Sequence, residues 1–401
     1  MAKQAVKKGA GVKKTGIEAF KEKKGLVYKD GDPITVTSTN ADKEMRFLLM
    51  PEAFTKAVGI NIPLNFFNII VGHSNSGKST ILNHVIVASQ RQNLCPVIFD
   101  TENNFDFTYA KDMGMEAEPV YGDVEVEHVN PETGEVTVTV ERKIVSYTGN
   151  FLYFNNAILA ETYGTNDYTT GKNNGKPRKV AVIEDIAYCM NELLTAQEEG
   201  EIDTGLVFVW DSVGSIGCWK SYKSLTNNAL WDAAALSVSF SGLVNDRLCR
   251  SRKISYPYDN CFVVCNKVWL DSMKNPMPGA PPSLALKGGN SFYYAGRYIL
   301  LCGSTLSSGI KRLIATSHGV NYCWGILTKL KTLKNQLPSP YCITYEGEAV
   351  CTPHGMICPD KESMDKYKKT HVSAILKELE RLSGVSNIKE NEIEYSEEEA
   401  E

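Results

Sequence analysis

Residues 72–79 read Gly72-His73-Ser74-Asn75-Ser76-Gly77-Lys78-Ser79, directly after the apolar run Phe66-Phe67-Asn68-Ile69-Ile70-Val71. The run predicts a buried strand, and Ile81 to Ala88 predicts a helix that opens at the motif's end. A Gly-x-x-x-x-Gly-Lys-Ser loop between a strand and a helix is the setting in which this motif binds phosphate. Gly72 and Gly77 let the backbone fold so that successive N–H groups face one anion, backed by the positive end of the helix dipole. Lys78 would reach the β- and γ-phosphates, and Ser79 would offer its hydroxyl to Mg²⁺. Residues Gly72 through Thr80 are therefore expected to cradle a nucleoside triphosphate.

Two further apolar runs end in acids: Pro96 to Phe99 runs into Asp100, and Leu206 to Trp210 into Asp211. A carboxylate at the C-terminal end of a strand facing a phosphate loop can hold Mg²⁺, so Asp211 is the expected second metal ligand beside Ser79. Hydrolysis also needs a group that orients or deprotonates water. Glu102 lies just past the strand that follows the loop's helix in sequence, and is the expected catalytic carboxylate, with Lys78 and Asp211 completing the set.

Positioning these groups requires a sheet. Cys261 to Cys265 and Tyr298 to Leu301 are two more near-continuous apolar runs, with helical stretches between the runs. Such a pattern predicts an α/β fold with a mostly parallel sheet covered by helices on both faces. The core is expected over residues 46–357, preceded by a basic arm with a short packing element over 1–45. Residues 119–178 read as an insertion, in which Val124–Val129 and Val136–Val140 alternate around a Gly-containing turn as a β-hairpin. Residues 358–388 form an expected small helical element, with Asp360 capping Lys361 to Leu382 and Gly384 stopping it. Residues 389–401 are an expected acidic, disordered tail.

The bulk numbers agree with a soluble globular protein: 401 residues, 43% hydrophobic and 22% charged. The sequence holds no run of eighteen uncharged apolar residues and no signal-peptide pattern, which predicts no membrane span and a cytoplasmic location. Eleven cysteines occur without a C-x-x-C pair and read as reduced, buried small hydrophobes. Cys351, His354 and Cys358 lie near one another, but three ligands at that spacing match no common zinc site. The net charge of −4 conceals a polarity. Lys3, Lys7, Lys8, Lys13, Lys14, Lys21, Lys23 and Lys24 crowd one end, and seven glutamates between Glu390 and Glu401 crowd the other. Such runs are usually solvated, and a basic arm with an acidic tail also suits a protein that handles nucleic acid.

Five segments, in order, resemble the RecA-type recombinases. Phe99 to Gly114 resembles the segment carrying that family's catalytic glutamate, and Val209 to Ser215 its Walker B strand. Val263 to Lys267 resembles the strand that ends in a polar γ-phosphate sensor, which here is Asn266 or Lys267. Lys287-Gly288-Gly289-Asn290 with Phe292 to Arg297 resembles the close of the second DNA-binding loop and the next strand. Lys329 to Pro340 resembles the lysine-rich strand that reaches a neighbouring subunit's ATP, which would assign that contact to Lys331 and Lys334. The family's sensor is usually Gln, and its lysine strand usually carries two lysines two residues apart, whereas Lys334 is followed by Gln336. The divergence resembles a phage-type protein, which would work in the host cytoplasm.

The resemblance implies DNA contacts from Lys220 and Lys223, beside Trp219, and from Trp269, Lys274, Lys287, Gly288, Gly289 and Asn290. Lysines would neutralise phosphates and apolar side chains would separate bases. The basic cluster Arg247, Arg250, Arg252 and Lys253 reads instead as a solvated or dipole-compensating helix end. The implied function is an ATP-dependent recombinase that forms a helical filament on single-stranded DNA and pairs it with homologous double-stranded DNA. ATP would lie between subunits, and the acidic tail would compete with DNA. Two other readings share the core: a hexameric DNA helicase, and an ATP-binding regulator without DNA chemistry.

Overall fold

The computed structural model describes Ile17 and residues 41–129, 134, 136–173, 177–226, 228–271, 283–304 and 310–399. In chain order the strands are β1 (Phe47–Leu48), β2 (Ile62–Pro63), β3 (Phe67–Gly72), β4 (Cys95–Asp100), β5 (Glu118–Val129) and β6 (Val136–Thr148). Then follow β7 (Leu152–Asn155), β8 (Asn166–Asp167), β9 (Lys172–Asn173), β10 (Leu206–Asp211), β11 (Cys261–Asp271) and β12 (Ser283–Leu286). The last six are β13 (Tyr298–Cys302), β14 (Ile310–Ser317), β15 (Val320–Asn335), β16 (Glu346–Thr352), β17 (Gly355–Ile357) and β18 (Glu394–Glu399). Of the N-terminal arm, only Ile17 and residues 41–45 fall within the described part.

The molecule is α/β, built on one mixed sheet of order β17-β16-β15-β13-β3-β11-β10-β4-β7. The four expected apolar strands are in it, as is the strand before the glycine-rich loop. From β13 to β7 every neighbouring pair is parallel. The expectation of a mostly parallel sheet needs correction beyond β13, where β15, β16 and β17 run antiparallel and β14 pairs back onto β15. The cause is local. His318 and Gly319, both at positive φ, turn β14 directly into β15, and strands joined so tightly can only pair antiparallel.

Alternation along the strands divides the core in two. Val207 and Val209 join Ile70, Val263 and Leu300 on one face, under the helix Lys78–Arg91. Phe208 and Trp210 face the other way, among Phe67, Phe240, Phe262 and Phe292, under the helices Ile183–Glu198 and Ala229–Gly242. A third cluster, around Trp324, Tyr367, Ile375 and Leu379, seats the C-terminal helices on the antiparallel wing. That helical element is capped by Asp360, which accepts from Ser363 N at 2.9 Å, and it ends at Gly384 in the left-handed region. It is broken at His371 into Lys361–Thr370 and Val372–Ser383.

Residues 119–178 are only partly an insertion. The hairpin is real and longer than expected, pairing from Glu118↔Thr148 to Val129↔Val136. After it, however, β7 pairs with β4 as the sheet's edge strand, and the helix Asn156–Tyr163 buries Leu159 and Tyr163 in the second core. Four half-buried residues beside an Asn are too short a pattern to announce a strand. The segment's return is fixed by Arg178, whose guanidinium is buried against Asp185 and also donates to Tyr163 O at 2.9 Å.

The tail also departs from expectation. Glu394–Glu399 is a strand, β18, antiparallel to β14, with Lys311 Nζ 3.6 Å from Glu397. Tyr395 interrupts the acids and packs edge-on to Trp324, with Lys368 Nζ 4.8 Å from its ring centre. Basic residues on β14 and one aromatic anchor order what composition alone reads as solvated chain. Among the described residues, no helix is long and apolar enough to cross a membrane.

Candidate functional site

Gly72 ends β3 where a side chain could not fit: a Cβ there would lie 2.4 Å from Cys302 O and 2.6 Å from Ser76 Oγ. The loop then closes on itself, Ser76 Oγ donating to His73 O at 2.8 Å, while Thr328 Oγ1 donates to Ser76 O at 2.9 Å. Gly77 caps the helix Lys78–Arg91 at φ +93°, and a Cβ there would meet Cys351 Sγ at 2.7 Å. Residues 72–79 thus wrap the start of a buried helix, where N–H groups and the helix dipole favour an anion. Lys78 is buried, with Nζ donating to His73 O. Thr80 lies one step further round, buried, and its hydroxyl is engaged with Tyr109 OH at 2.9 Å.

The two acid-ended strands are neighbours in register, with Asp211 opposite Asp100. Their acids divide the work. Asp100 turns inward and accepts from Asn104 N, Phe105 N and Tyr153 OH at 2.9–3.1 Å, which shapes the turn after β4. Asp211 faces the loop and accepts from Ser79 Oγ at 2.9 Å. Burial pushes its carboxyl up to about 6; the Ser79 hydrogen bond and the Lys78 charge oppose this, while the negative charges of Glu102 and Asp100 add to it. A hydroxyl and a carboxylate side by side form the hard-oxygen donor pair that Mg²⁺ prefers.

Glu102, in the turn after β4, is held by hydrogen bonds between that turn and the end of β10. Thr101 N donates to Asp211 O at 2.9 Å, and Thr101 Oγ1, itself taking the Trp210 indole N–H at 2.9 Å, donates to Ser212 O at 3.0 Å. Asp211 and Ser212 are joined by a cis peptide bond. Ser212 Oγ donates to Glu102 Oε1, and Lys267 Nζ lies 3.0 Å from the same oxygen. Burial pushes Glu102 up, but these two hydrogen bonds and the charges of Lys267 and Lys78 outweigh it, leaving the carboxyl below its ordinary range.

The sequence left Asn266 and Lys267 as alternatives, and both lie within β11. Geometry separates them. Lys267 reaches Glu102, whereas Asn266 is buried and donates through Nδ2 to Lys287 O at 2.8 Å. Lys287, expected at a DNA surface, instead points inward. Its Nζ donates to Ile216 O at 2.8 Å and Gly214 O at 3.3 Å, and lies 3.2 Å from the buried Asp232. Gly288 and Gly289, both at positive φ, open a short helix that includes Asn290.

Val268 to Asp271 pair antiparallel with Leu286 to Ser283, so the second expected loop begins as a two-stranded ribbon, with Trp269 opposite Ala285. Lys274 lies outside the described residues. The first expected loop holds the helix Trp219–Ser224. Trp219 is buried there, its indole N–H on Thr169 Oγ1 at 2.9 Å, so it is not free to stack on a base. Lys220 Nζ sits 4.4 Å from the Trp231 ring centre and Lys223 Nζ 4.8 Å from that of Trp219.

Lys331 pairs with Glu346 at 2.8 Å on the surface of the antiparallel wing. Lys334 donates to Tyr294 O at 2.8 Å over the Tyr293 and Tyr294 rings. Burial, then the nearby Arg297 charge, lowers its pKa. All eleven cysteines are free thiols. His354 Nδ1 meets Tyr367 OH at 2.8 Å and its ring stacks on His371 at 3.8 Å. Among the described residues, no group of three or more His, Cys, Asp or Glu is arranged to hold a metal. Sequence reasoning missed Ser212, Thr101, Asp232 and Thr328, whose roles depend on which strands become neighbours. Compared with known proteins, the chain matches no family model and no curated relative, so its site is read from its own geometry.

Proposed function

We propose that the chain is an ATP-dependent DNA recombinase of RecA type, assembling on single-stranded DNA and pairing it with a homologous duplex. One observation carries the reading: the neighbouring strands β3, β11, β10 and β4 bring Lys78, Ser79, Lys267, Asp211 and Glu102 around one glycine-rich loop. In this reading the loop N–H groups and Lys78 take the triphosphate, and Glu102 orients the attacking water. Ser79 and Asp211 would hold Mg²⁺, which when bound supplies charge neutralisation to the phosphates. The β11–β12 ribbon leads away from this site and would carry DNA contacts outward.

The test is negative-stain electron microscopy with single-stranded DNA and a non-hydrolysable ATP analogue, with Lys78→Ala as control. Nucleotide-dependent helical filaments, absent in the control, are the expected result. Closed rings would replace the reading with a helicase. A second reading, an ATP-gated regulator without DNA chemistry, is favoured by the pairing of Lys287 and Lys334 with backbone carbonyls of the same chain. Dispersed particles would make it the better account.

A further inference from the structure

Of the basic cluster Arg247, Arg250, Arg252 and Lys253, three members are neutralised. Arg247 lies 2.9 Å from Glu198, Arg250 2.8 Å from Asp246 and Lys253 2.8 Å from Asp42. Arg252 is the exception. Its guanidinium lies over the Phe66 ring, 5.2 Å from the ring centre, and its Nε is buried with no hydrogen-bond partner. A buried donor left unmet is costly, so its position calls for an acceptor.

Arg252 lines a cavity of about 360 Å³ together with Lys43, Arg46 and Arg297. The cavity lies at the N-terminal ends of three neighbouring strands. Leu64 to Phe66 lead into β3, Asp259 and Asn260 into β11, and Arg297 into β13. The glycine-rich loop is at the other end of the six-residue β3, about 20 Å away at the usual rise of a strand. The charges at the cavity do not cancel. Asp259 is buried and accepts from Lys43 Nζ at 3.1 Å, from Asn65 Nδ2 at 2.9 Å and from Arg46 Nη1. With Asp42 taken by Lys253, four cations (Lys43, Arg46, Arg252 and Arg297) face Asp259 and the exposed Glu44. Two positive charges are left over among the described residues, and neither Arg252 nor Arg297 forms an ion pair there. Leu64, Phe66 and Leu337, all buried, make the remaining wall apolar, which strengthens attraction between charges.

We propose that this cavity is a second anion site, separate from the glycine-rich loop, in which Arg252 and Arg297 grip a phosphate dianion. The planar fork of arginine matches phosphate oxygens. The surplus of two charges suits free phosphate or the terminal phosphate of a small monoester, which carries close to two negative charges at neutral pH. A nucleic-acid diester carries one. Bound there, phosphate ties the segment at residues 42–46 to the entries of β3 and β13. The site stands whether or not the loop binds ATP.

The test is a ³¹P NMR titration of the full chain with inorganic phosphate and with glycerol 3-phosphate, in wild type, Arg252→Gln, Arg297→Gln and Lys78→Ala. Millimolar binding is expected in wild type and is retained in Lys78→Ala. Each arginine variant should bind roughly tenfold more weakly, the loss of one charge-assisted hydrogen bond. Arg297 is exposed, so its variant keeps the fold even where Arg252→Gln does not, and melting curves without phosphate check this. Binding of both ligands assigns monoesters, and binding of inorganic phosphate alone assigns free phosphate; either supports the site. Binding lost in Lys78→Ala but kept in both arginine variants would place the phosphate in the loop and overturn it. A wild type that binds neither ligand overturns it too. So does displacement of phosphate by an oligonucleotide without terminal phosphates, which would make the cavity a contact for nucleic-acid backbone.

Discussion

Asp211 carries a cost that sets a pH requirement. Burial raises its carboxyl to about 6, so the fold favours the neutral acid. The stability from that proton is present below the ordinary value of 3.8 and is lost as pH rises through about 6. On the proposed ATPase reading, cation affinity would run the other way, because only the carboxylate form of Asp211 would bind Mg²⁺. Mg²⁺-dependent nucleotide affinity should therefore be flat above about pH 7 and fall by roughly tenfold per unit below the Asp211 pKa. Titrations of a fluorescent nucleotide between pH 5 and 8 check this, and Asp211→Asn should bind weakly with that slope gone. At this scale the sequence was legible where a motif is continuous. Gly72, Gly77, Lys78 and Ser79 lie between a strand and a helix as their spacing implies, because one turn of chain contains them. The Lys267–Glu102 pair was not legible, because two residues 165 positions apart meet only once β11, β10 and β4 are known to lie side by side. Lys287 misled for the same reason, since nothing local announces that Asp232 will be buried beside it.

The β5–β6 hairpin is an element that the core barely supports. Val136, Val138 and Val140 are all more than half exposed, and the strands pair only with each other. A two-stranded ribbon alone is marginal in water, so its base must hold it. Tyr147 stacks on Phe107 with ring centres 4.4 Å apart and packs against the first core. Replacing Val124–Glu141 by a short glycine turn should leave the melting temperature within about 4 °C of wild type, less than the loss of about 1 kcal/mol would shift a small domain. Nucleotide binding should be unchanged, and thermal unfolding with the same nucleotide titration checks both. The alternating residues made this hairpin readable. The edge strand β7 was hidden because its burial depends on β4 beside it, and β18 was hidden because its glutamates pair with β14, far off in sequence.

At the scale of the whole molecule, a neutral histidine ties the antiparallel wing to the helix on the parallel one. His84, on the helix after the glycine-rich loop, accepts at Nε2 from Met356 N at 2.9 Å, just where β17 meets that helix. Burial, helped by the Arg91 charge, lowers its pKa from 6.5 to about 4. That stability is present above 6.5 and is lost as pH falls through about 4, since the unfolded chain takes the proton first. Between those limits the loss attributable to His84 should be roughly 3 kcal/mol at about 1.4 kcal/mol per pKa unit. Denaturant unfolding of wild type and His84→Gln at pH 7.5 and pH 4.5 measures it: the variant should start less stable and lose less on acidification.

The order found in the glutamate-rich strand β18 has a consequence for how copies of the protein meet. An outermost strand presents unpaired N–H and C=O groups and is a ready template for another chain. Among the described residues, the outermost strand beyond β14 is β18, which carries Glu394, Glu397 and Glu398, all exposed. A second molecule approaching in the same way would set those carboxylates against its own. The acidic run thus acts as a fence along one border of the sheet, leaving zipper-like aggregation electrostatically disfavoured on that side.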